Sequence, residues 1–243
     1  KLVWTWSEPL PGGKYRTLAR QISEVAYTQP LEPLRNLSAF SLLSEWENRA
    51  PTVVLGGEAV QNEWAKTPWS ERWWRGDDDL SARIWLAGSG ENLAVVARVR
   101  DDELVAATSA QSLRFTDAMH LQISRDGENI SRYSVAQIGE KIVVLRQKSG
   151  DSRGPQIVSP SEASGQIERD EQAKTTIYRL NLTAPTLRDA EFRINVQIAD
   201  NDPNQVASTG PFSKQILSWS AQNGETPDPQ KWLRTRLSPI AKR

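Results

Sequence analysis

The sequence predicts an all-β protein, an antiparallel β-sandwich that follows an irregular or partly helical N-terminal segment. The first observation behind this prediction is that short segments from about residue 51 onward alternate apolar and polar side chains with a period of two. The second is that clusters of turn-forming residues, such as 88–90, 125–129 and 200–204, separate these segments. Helical patterns, which would connect the strands of a parallel sheet, are rare there. We therefore expect one sandwich domain over residues 51–243.

Individual strands follow from the alternation. Leu93, Val95 and Val99 share one face of an extended segment, and Arg98 and Arg100 share the other. Strands are predicted on this basis at 82–86, 93–100, 118–123, 133–138, 141–147, 175–182 and 191–199. The polar stretch 149–170 predicts a long loop or an irregular hairpin, and the basic tail 231–243 predicts a final solvated strand.

Residues 1–50 have a different pattern. After the turn signal at 11–13, apolar residues at helical spacing predict a short amphipathic helix over 15–27. Pro30 and Pro33 disfavour its continuation. Apolar residues over 34–46 suit a second helix, although 39–43 also suits a strand. We expect residues 1–50 to be a connector, or the end of a preceding domain, that packs on the sandwich. Because the chain does not begin with Met, we also expect a processed piece of a longer polypeptide.

Composition excludes several classes of protein. Thirty basic and thirty acidic residues give no net charge, which argues against a nucleic-acid partner, and no apolar run approaches the roughly 20 residues that span a membrane. The absence of cysteine excludes disulfides and thiolate metal sites, and the single histidine excludes a site built from several histidines. Tryptophan is abundant, with ten residues against four Tyr and four Phe.

The order of several segments resembles the family 9 carbohydrate-binding module. The segments that carry the resemblance are 76–85 with 91–102, 115–123, 178–182, 192–200, 216–220 and 228–232. The resemblance implies a sandwich of jelly-roll type that binds the ends of sugar chains. In that family two Trp side chains clamp a sugar ring, and polar side chains bind its hydroxyl groups. This follows a general rule, since the apolar face of a sugar packs on an indole and its hydroxyls need directional partners.

Carried over to this chain, the family's two clamp positions fall at about Arg114 and Thr226, and neither is aromatic. Its polar contacts fall near His120, Ser134 and Gln197, of which Gln197 keeps the usual residue type. An exposed Trp73 or Trp74, beside arginines, offers an alternative platform for a sugar. The predicted ligand-binding residues are Trp73, Trp74, Arg98, Arg114, His120, Gln197 and Trp232. Arg114 and His120 in place of an aromatic and an acidic residue favour an anionic polysaccharide.

The resulting functional hypothesis is a non-catalytic carbohydrate-binding module, an accessory to a glycoside hydrolase or polysaccharide lyase in the same polypeptide. We expect it to be extracellular or periplasmic and to bind a polysaccharide or oligosaccharide. No catalytic residue is predicted, because there is no Gly-x-Ser-x-Gly nucleophile motif and the carboxylates lie mainly in turns. The alternative is a structural module that packs against its neighbour and binds no sugar.

Two metal-dependent hypotheses complete the sequence-based predictions. Relatives carry structural calcium, and the carboxylates that could supply its oxygen ligands are Asp77, Asp78, Asp79, Asp200 and Asp202. Some sandwich relatives instead bind haem b and transfer electrons, with Met and His or Lys as ligands. Met119 and His120 are neighbours on one predicted strand, so their side chains face opposite ways and cannot bind one iron.

Overall fold

The computed structural model describes residues 2–10, 14–23, 29–34, 37–56, 77–201, 215–219 and 228–237. The strands are β1 Leu2–Leu10, β2 Lys14–Ser23, β3 Gln29–Pro30, β4 Val53–Leu55, β5 Leu80–Ser89, β6 Asn92–Asp101, β7 Ala118–Ser124, β8 Ile130–Ile138, β9 Lys141–Lys148, β10 Gln156–Ile157, β11 Ala163–Asp170, β12 Thr175–Thr183, β13 Glu191–Asp200, β14 Gln215–Ser218 and β15 Leu233–Arg236. One α-helix, α1, spans Leu43–Glu47, and short 3-10 helices span Ala110–Phe115, Pro185–Leu187 and Pro229–Lys231.

Two sheets form the sandwich. The long sheet has eight strands in the order β10-β9-β8-β7-β13-β15-β3, with β14 also paired to β13. The second sheet has five strands in the order β11-β12-β6-β5-β4. The strand ladders are antiparallel, except that β15 and β3 pair in parallel. The predicted all-β sandwich is confirmed.

The core lies between the inner faces of the two sheets. Met119, Leu121 and Val196 from the long sheet pack with Val95 and Leu180 from the five-stranded sheet, and all are fully buried. Since alternate residues of a strand face opposite ways, Ala118, His120, Gln122 and Ser124 of β7 then face outward. Met119 is thus in the core and His120 on the outer face, as the sequence predicted, so the two cannot share an iron.

The outer face of the five-stranded sheet is covered by the chain itself. Leu34, Ala39 and Trp46 pack on Trp85 and Val96 of that face. The buried Arg179 on β12 donates to the backbone carbonyls of Ala39 at 3.0 Å and Ser41 at 2.8 Å. Residues 31–34 and 37–49 therefore pack against the sandwich.

The structure corrects two expectations about local structure. The helix predicted over 15–27 is wrong, since β2 occupies Lys14–Ser23 and pairs with β1. The stretch 149–170 contains the edge strand β11, which pairs with β12 along its whole length. The helical part of 34–46 is limited to α1. Among the described residues, no helix is long and apolar enough to cross a membrane.

Candidate functional site

The outer face of the long sheet carries polar side chains that are buried. His120 and Gln122 on β7 are 5% and 0% exposed, and Asn195 and Gln197 on β13 are 0% and 4% exposed. Ser134 on β8 is 3% exposed. Burial of polar groups costs free energy unless they are hydrogen-bonded, so a buried polar surface on the outside of a sheet needs a reason. We call this surface, formed by His120, Gln122, Arg132, Ser134, Asn195 and Gln197, the polar face.

Strand register aligns the polar face in two rows. In the first row His120 lies opposite Ser134 on one side and Gln197 on the other, and Gln197 lies opposite Ser218 of β14. In the second row Gln122 lies opposite Arg132 and Asn195. The rows are two residues apart along each strand, a distance of about 6.7 Å. One sugar ring could therefore contact both.

Hydrogen bonds connect these side chains. Nδ1 of His120 lies 2.8 Å from Oγ of Ser134. Nδ2 of Asn195 lies 2.9 Å from the Gln122 amide and 3.1 Å from Oγ of Ser218. With the Gln122 amide turned so that its oxygen faces β8, that oxygen accepts from Nη2 and Nε of Arg132 at 3.0 and 3.2 Å. This orientation gives the guanidinium an acceptor. It places the Gln122 amide nitrogen 2.9 Å from the Asn195 amide, so we turn Asn195 as well, and its oxygen then accepts from Gln122.

The 3-10 helix Ala110–Phe115 closes one end of the polar face. Its Leu113 packs on Ala118 and Ala136, which continue the outer face beyond His120 and Ser134, and on Leu145, which lies opposite Ser134. Ser109 caps this helix: its side chain accepts from the backbone N–H of Ser112, whose own side chain accepts from the backbone N–H of Ser109. The polar face therefore begins where this apolar patch ends.

The turn after β7 and the 3-10 helix Pro229–Lys231 close the other end. Nε2 of Gln230 donates to the carbonyl of Gly127 at 3.3 Å, and a Cβ at Gly127 would lie 2.6 Å from that same nitrogen. Gly127 has a φ of +83°, which favours glycine, and a side chain there would also displace the Gln230 amide. Arg193 donates to the carbonyls of Pro229 and Gln230 at 3.2 and 3.1 Å.

Trp232 follows directly on this 3-10 helix. It is 4% exposed, about as buried as the side chains of the polar face. Its indole N–H has no hydrogen-bond acceptor among the described residues. The next residue, Leu233, lies opposite Ile194 of β13 and packs against the core.

A second polar cluster lies at one end of the core. Asp101, Asp117 and Asp200 are 2%, 2% and 1% exposed, and each offers a carboxylate oxygen within 4.8 Å of the others. Both oxygens of Asp117 accept backbone N–H groups, from Val105 at 2.6 Å and from Asn201 at 2.7 Å. Nη1 of Arg169 lies 3.8 Å from Oδ2 of Asp101. Burial, and then the charges of the three carboxylates, raise the pKa of the neighbouring Tyr178 well above its ordinary value.

The chemistry of this cluster fits calcium. Three carboxylates in the interior repel one another, and hard oxygen donors are the ligands that calcium prefers, roughly six to eight in number. Of the five predicted ligands, only Asp200 belongs to the cluster, where Asp101 and Asp117 are its partners. Asp77, Asp78 and Asp79 lie in one turn, where the first two are exposed and Asp79 is buried. Asp78 pairs with Arg100 at 3.1 Å. Asp202 lies outside the described residues.

The predicted ligand-binding residues divide between several places. His120 and Gln197 lie side by side on the polar face. Arg98 lies apart from them, on the outer face of the other sheet, because its neighbours Ala97 and Val99 face the core. There it pairs with Glu47 at 2.8 Å. Arg114 belongs to the 3-10 helix Ala110–Phe115, and its side chain is outside what the structure describes. Trp73 and Trp74 lie outside the described residues.

Sequence reasoning missed Gln122, Arg132 and Asn195. A signal existed for two of them, because Gln122 and Asn195 lie two residues from His120 and Gln197 on predicted strands and must share their face. Arg132 could have been found only with the register that pairs it with Gln122.

The solved structures that are similar to this chain include the following three. Two are complexes of a carbohydrate binding module family 9 from Caldicellulosiruptor kristjanssonii. The glucose complex has a TM-score of 0.48 and 9% identity and covers 68% of this chain and 80% of that one. The cellotriose complex has a TM-score of 0.49 and 12% identity and covers 78% and 91%.

The third is a crystal structure from Bacteroides uniformis ATCC 8492, described as a putative carbohydrate-binding protein. It has a TM-score of 0.53 and 10% identity and covers 87% of this chain and 97% of that one. This similarity shows a shared fold, and at that level it confirms the resemblance recognised in the sequence. No family model and no curated protein matches the sequence.

Proposed function

We propose that this chain is a non-catalytic carbohydrate-binding module and that the polar face is its binding surface. The observation that supports this proposal is the pair of rows of buried hydrogen-bonding side chains on the outside of the long sheet. Amide, hydroxyl and imidazole groups are the donors and acceptors that recognise sugar hydroxyls. They lie between two closed ends, which positions them as a bounded surface.

The finer parts of the proposal follow from the sequence. We expect an anionic polysaccharide or oligosaccharide as ligand, and a parent catalytic domain, a glycoside hydrolase or polysaccharide lyase, in the same polypeptide. The corresponding location is extracellular or periplasmic. Trp73 and Trp74 stay part of the proposed ligand set, as the aromatic groups that would cover the sugar ring.

Affinity electrophoresis in gels that contain neutral or acidic polysaccharides tests the binding role. The wild-type chain should be retarded by at least one polysaccharide, and Gln197→Ala should weaken that retardation by about tenfold in affinity. Gln172→Ala is the matched control, because Gln172 is exposed on the turn between β11 and β12. If no polysaccharide retards the chain when its binding sites are present at millimolar concentration, the hypothesis of a structural module that binds no sugar is favoured.

We also propose that Asp101, Asp117 and Asp200 hold a structural calcium ion. When bound, calcium would offset the repulsion of the three carboxylates and join the ends of β6, β7 and β13. Thermal unfolding tests this directly. After treatment with EDTA, calcium at a hundred times its Kd should stabilise the folded chain by about 2.7 kcal/mol. The melting temperature should rise accordingly. The same melting temperature with and without calcium would contradict the proposal.

A further inference from the structure

Arg132 is a partly buried cation on the polar face. It lies on β8, opposite Gln122 of β7 and Gln147 of β9, so its side chain shares the outer face with His120. Its guanidinium contacts the Gln122 side-chain oxygen through Nη2 and Nε, at 3.0 and 3.2 Å. These contacts fix the position of the guanidinium within the second row.

Arg132 has no acidic partner among the residues that the structure describes. Other buried or partly buried arginines of the sandwich do have one: Arg146 pairs with Glu162 at 2.5 Å, and Arg179 pairs with Glu168 at 3.2 Å. Arg169 lies beside Asp101 and Glu171. A charge that is moved out of water without a counter-charge is destabilised, and burial accordingly lowers the pKa of Arg132. An oxyanion from a ligand would supply the missing charge.

We propose that Arg132 binds the carboxylate or sulfate group of an acidic sugar and thereby selects anionic over neutral glycans. The proposal rests on the carbohydrate-binding role of the polar face and adds its specificity-determining residue. A guanidinium presents a planar fork of donors that matches the paired oxygens of a carboxylate or sulfate. His120, Ser134 and Gln197 lie one row away, about 6.7 Å along the strands, where they reach the hydroxyls of the same sugar.

The test compares Arg132→Gln with the wild-type chain on three kinds of glycan. Polygalacturonate presents carboxylates, a carrageenan presents sulfates, and neutral xylan presents neither. Calorimetric titration at low and moderate salt gives the affinities. We expect Arg132→Gln to lose about tenfold to a hundredfold in affinity for the acidic glycan that binds, and to keep any affinity for xylan. The wild-type affinity for that acidic glycan should fall as salt rises.

Arg83→Gln is the matched control, because Arg83 is exposed on the outer face of the five-stranded sheet, opposite Val54 and Arg98. It should leave all affinities unchanged, which separates a specific contact from general charge. Melting curves establish that each variant is folded. If Arg132→Gln does not fold, Arg132→Lys takes its place: it keeps the charge but loses the fork, and should still weaken binding of the acidic glycan.

The outcomes separate the two proposals. Equal binding of acidic glycans by the wild-type chain and a folded Arg132 variant would overturn the role of Arg132 and leave the carbohydrate-binding role standing. Binding of xylan alone would do the same. Absence of binding to all three glycans, and to every polysaccharide in the electrophoresis panel, would overturn both. A loss for polygalacturonate alone identifies the recognised group as a carboxylate, and a loss for carrageenan alone identifies it as a sulfate.

Discussion

The two sheets use their outer faces in opposite ways. The outer face of the five-stranded sheet carries an apolar cluster, which Leu34, Ala39 and Trp46 cover. The cluster consists of Trp85, Ala87, Ala94, Val96 and Ile177. The outer face of the long sheet is polar over two rows and is closed by short helices at its ends. A sandwich of this size could carry covered apolar side chains on the outer faces of both sheets. The difference indicates that one face contributes to stability, whereas the other is the surface proposed above for recognition.

The covered face is held by more than apolar contact. Nε1 of Trp85 donates to the carbonyl of Arg49 at 3.0 Å, and Nε1 of Trp46 donates to the carbonyl of Ser38 at 3.1 Å. Arg179 reaches two further carbonyls of the same segment. Each buried donor therefore has an acceptor in the covering segment, which gives that segment one position on the sheet.

Removal of Trp46 should have the largest effect on stability. Trp46 is 1% exposed, and Trp46→Ala leaves a cavity that costs about 3–5 kcal/mol of unfolding free energy. Urea denaturation measures this cost. Phe40→Ala, in the same segment but 44% exposed, should change stability by less than about 0.5 kcal/mol. Glycan affinity should be the same in both variants, and a folded Trp46→Ala that binds less would show that the two faces are coupled.

Whether a strand could be predicted from the sequence depends on which interactions determine its structure. The central strands β6, β7 and β13 were predicted because one of their faces must be apolar. β11 was missed because it is an edge strand, and its exposed residues such as Glu168 and Asp170 need no such pattern. β2 was predicted as a helix because Leu18 and Ile22 have helical spacing, whereas pairing with β1 decides its structure.

The same distinction explains which residues of the candidate site could be predicted from the sequence. His120 and Gln197 were found through the family resemblance, but the partner of Arg132 lies on another strand and depends on register. The acidic cluster shows this most clearly. Asp101, Asp117 and Asp200 are far apart in sequence and meet only where β6 and β13 end and β7 begins. A search for adjacent aspartates therefore led to 77–79.

A polar-to-apolar exchange on the polar face should separate function from stability. His120→Leu with Ser134→Ala removes both side chains of the 2.8 Å contact and makes this face resemble the covered one. Because both partners are replaced, the unfolding free energy should change by less than about 1 kcal/mol. Glycan affinity should fall by about tenfold or more, since two hydrogen-bonding groups are lost. A double variant that is much less stable but, while folded, binds with wild-type affinity would assign these side chains to stability alone.

The smallest effect is expected at Asp126, in the turn that helps close the polar face. Its carboxylate accepts from the side chain of Asn129 at 2.6 Å and from the backbone N–H groups of Glu128 at 2.9 Å and Asn129 at 2.7 Å. These bonds, that of the Asn129 side chain first, lower the pKa of Asp126 well below its usual 3.8. A group with a lowered folded-state pKa contributes stability above its unfolded pKa, and the contribution disappears as pH falls toward the folded value.

Asp126→Asn should therefore destabilise the chain at pH 7 and by the same amount at pH 5.5, and by less at pH 3. Urea denaturation at these three values measures the difference from the wild-type chain. Glu128→Gln is the matched control, because its side chain makes no hydrogen bond among the described residues. If the difference in unfolding free energy stays constant down to pH 3, Asp126→Asn destabilises the chain through altered turn geometry and not through loss of the carboxylate charge. Since the turn holds Gln230 through Gly127, a loss of glycan affinity in Asp126→Asn alone would extend the polar face to this end of the sheet.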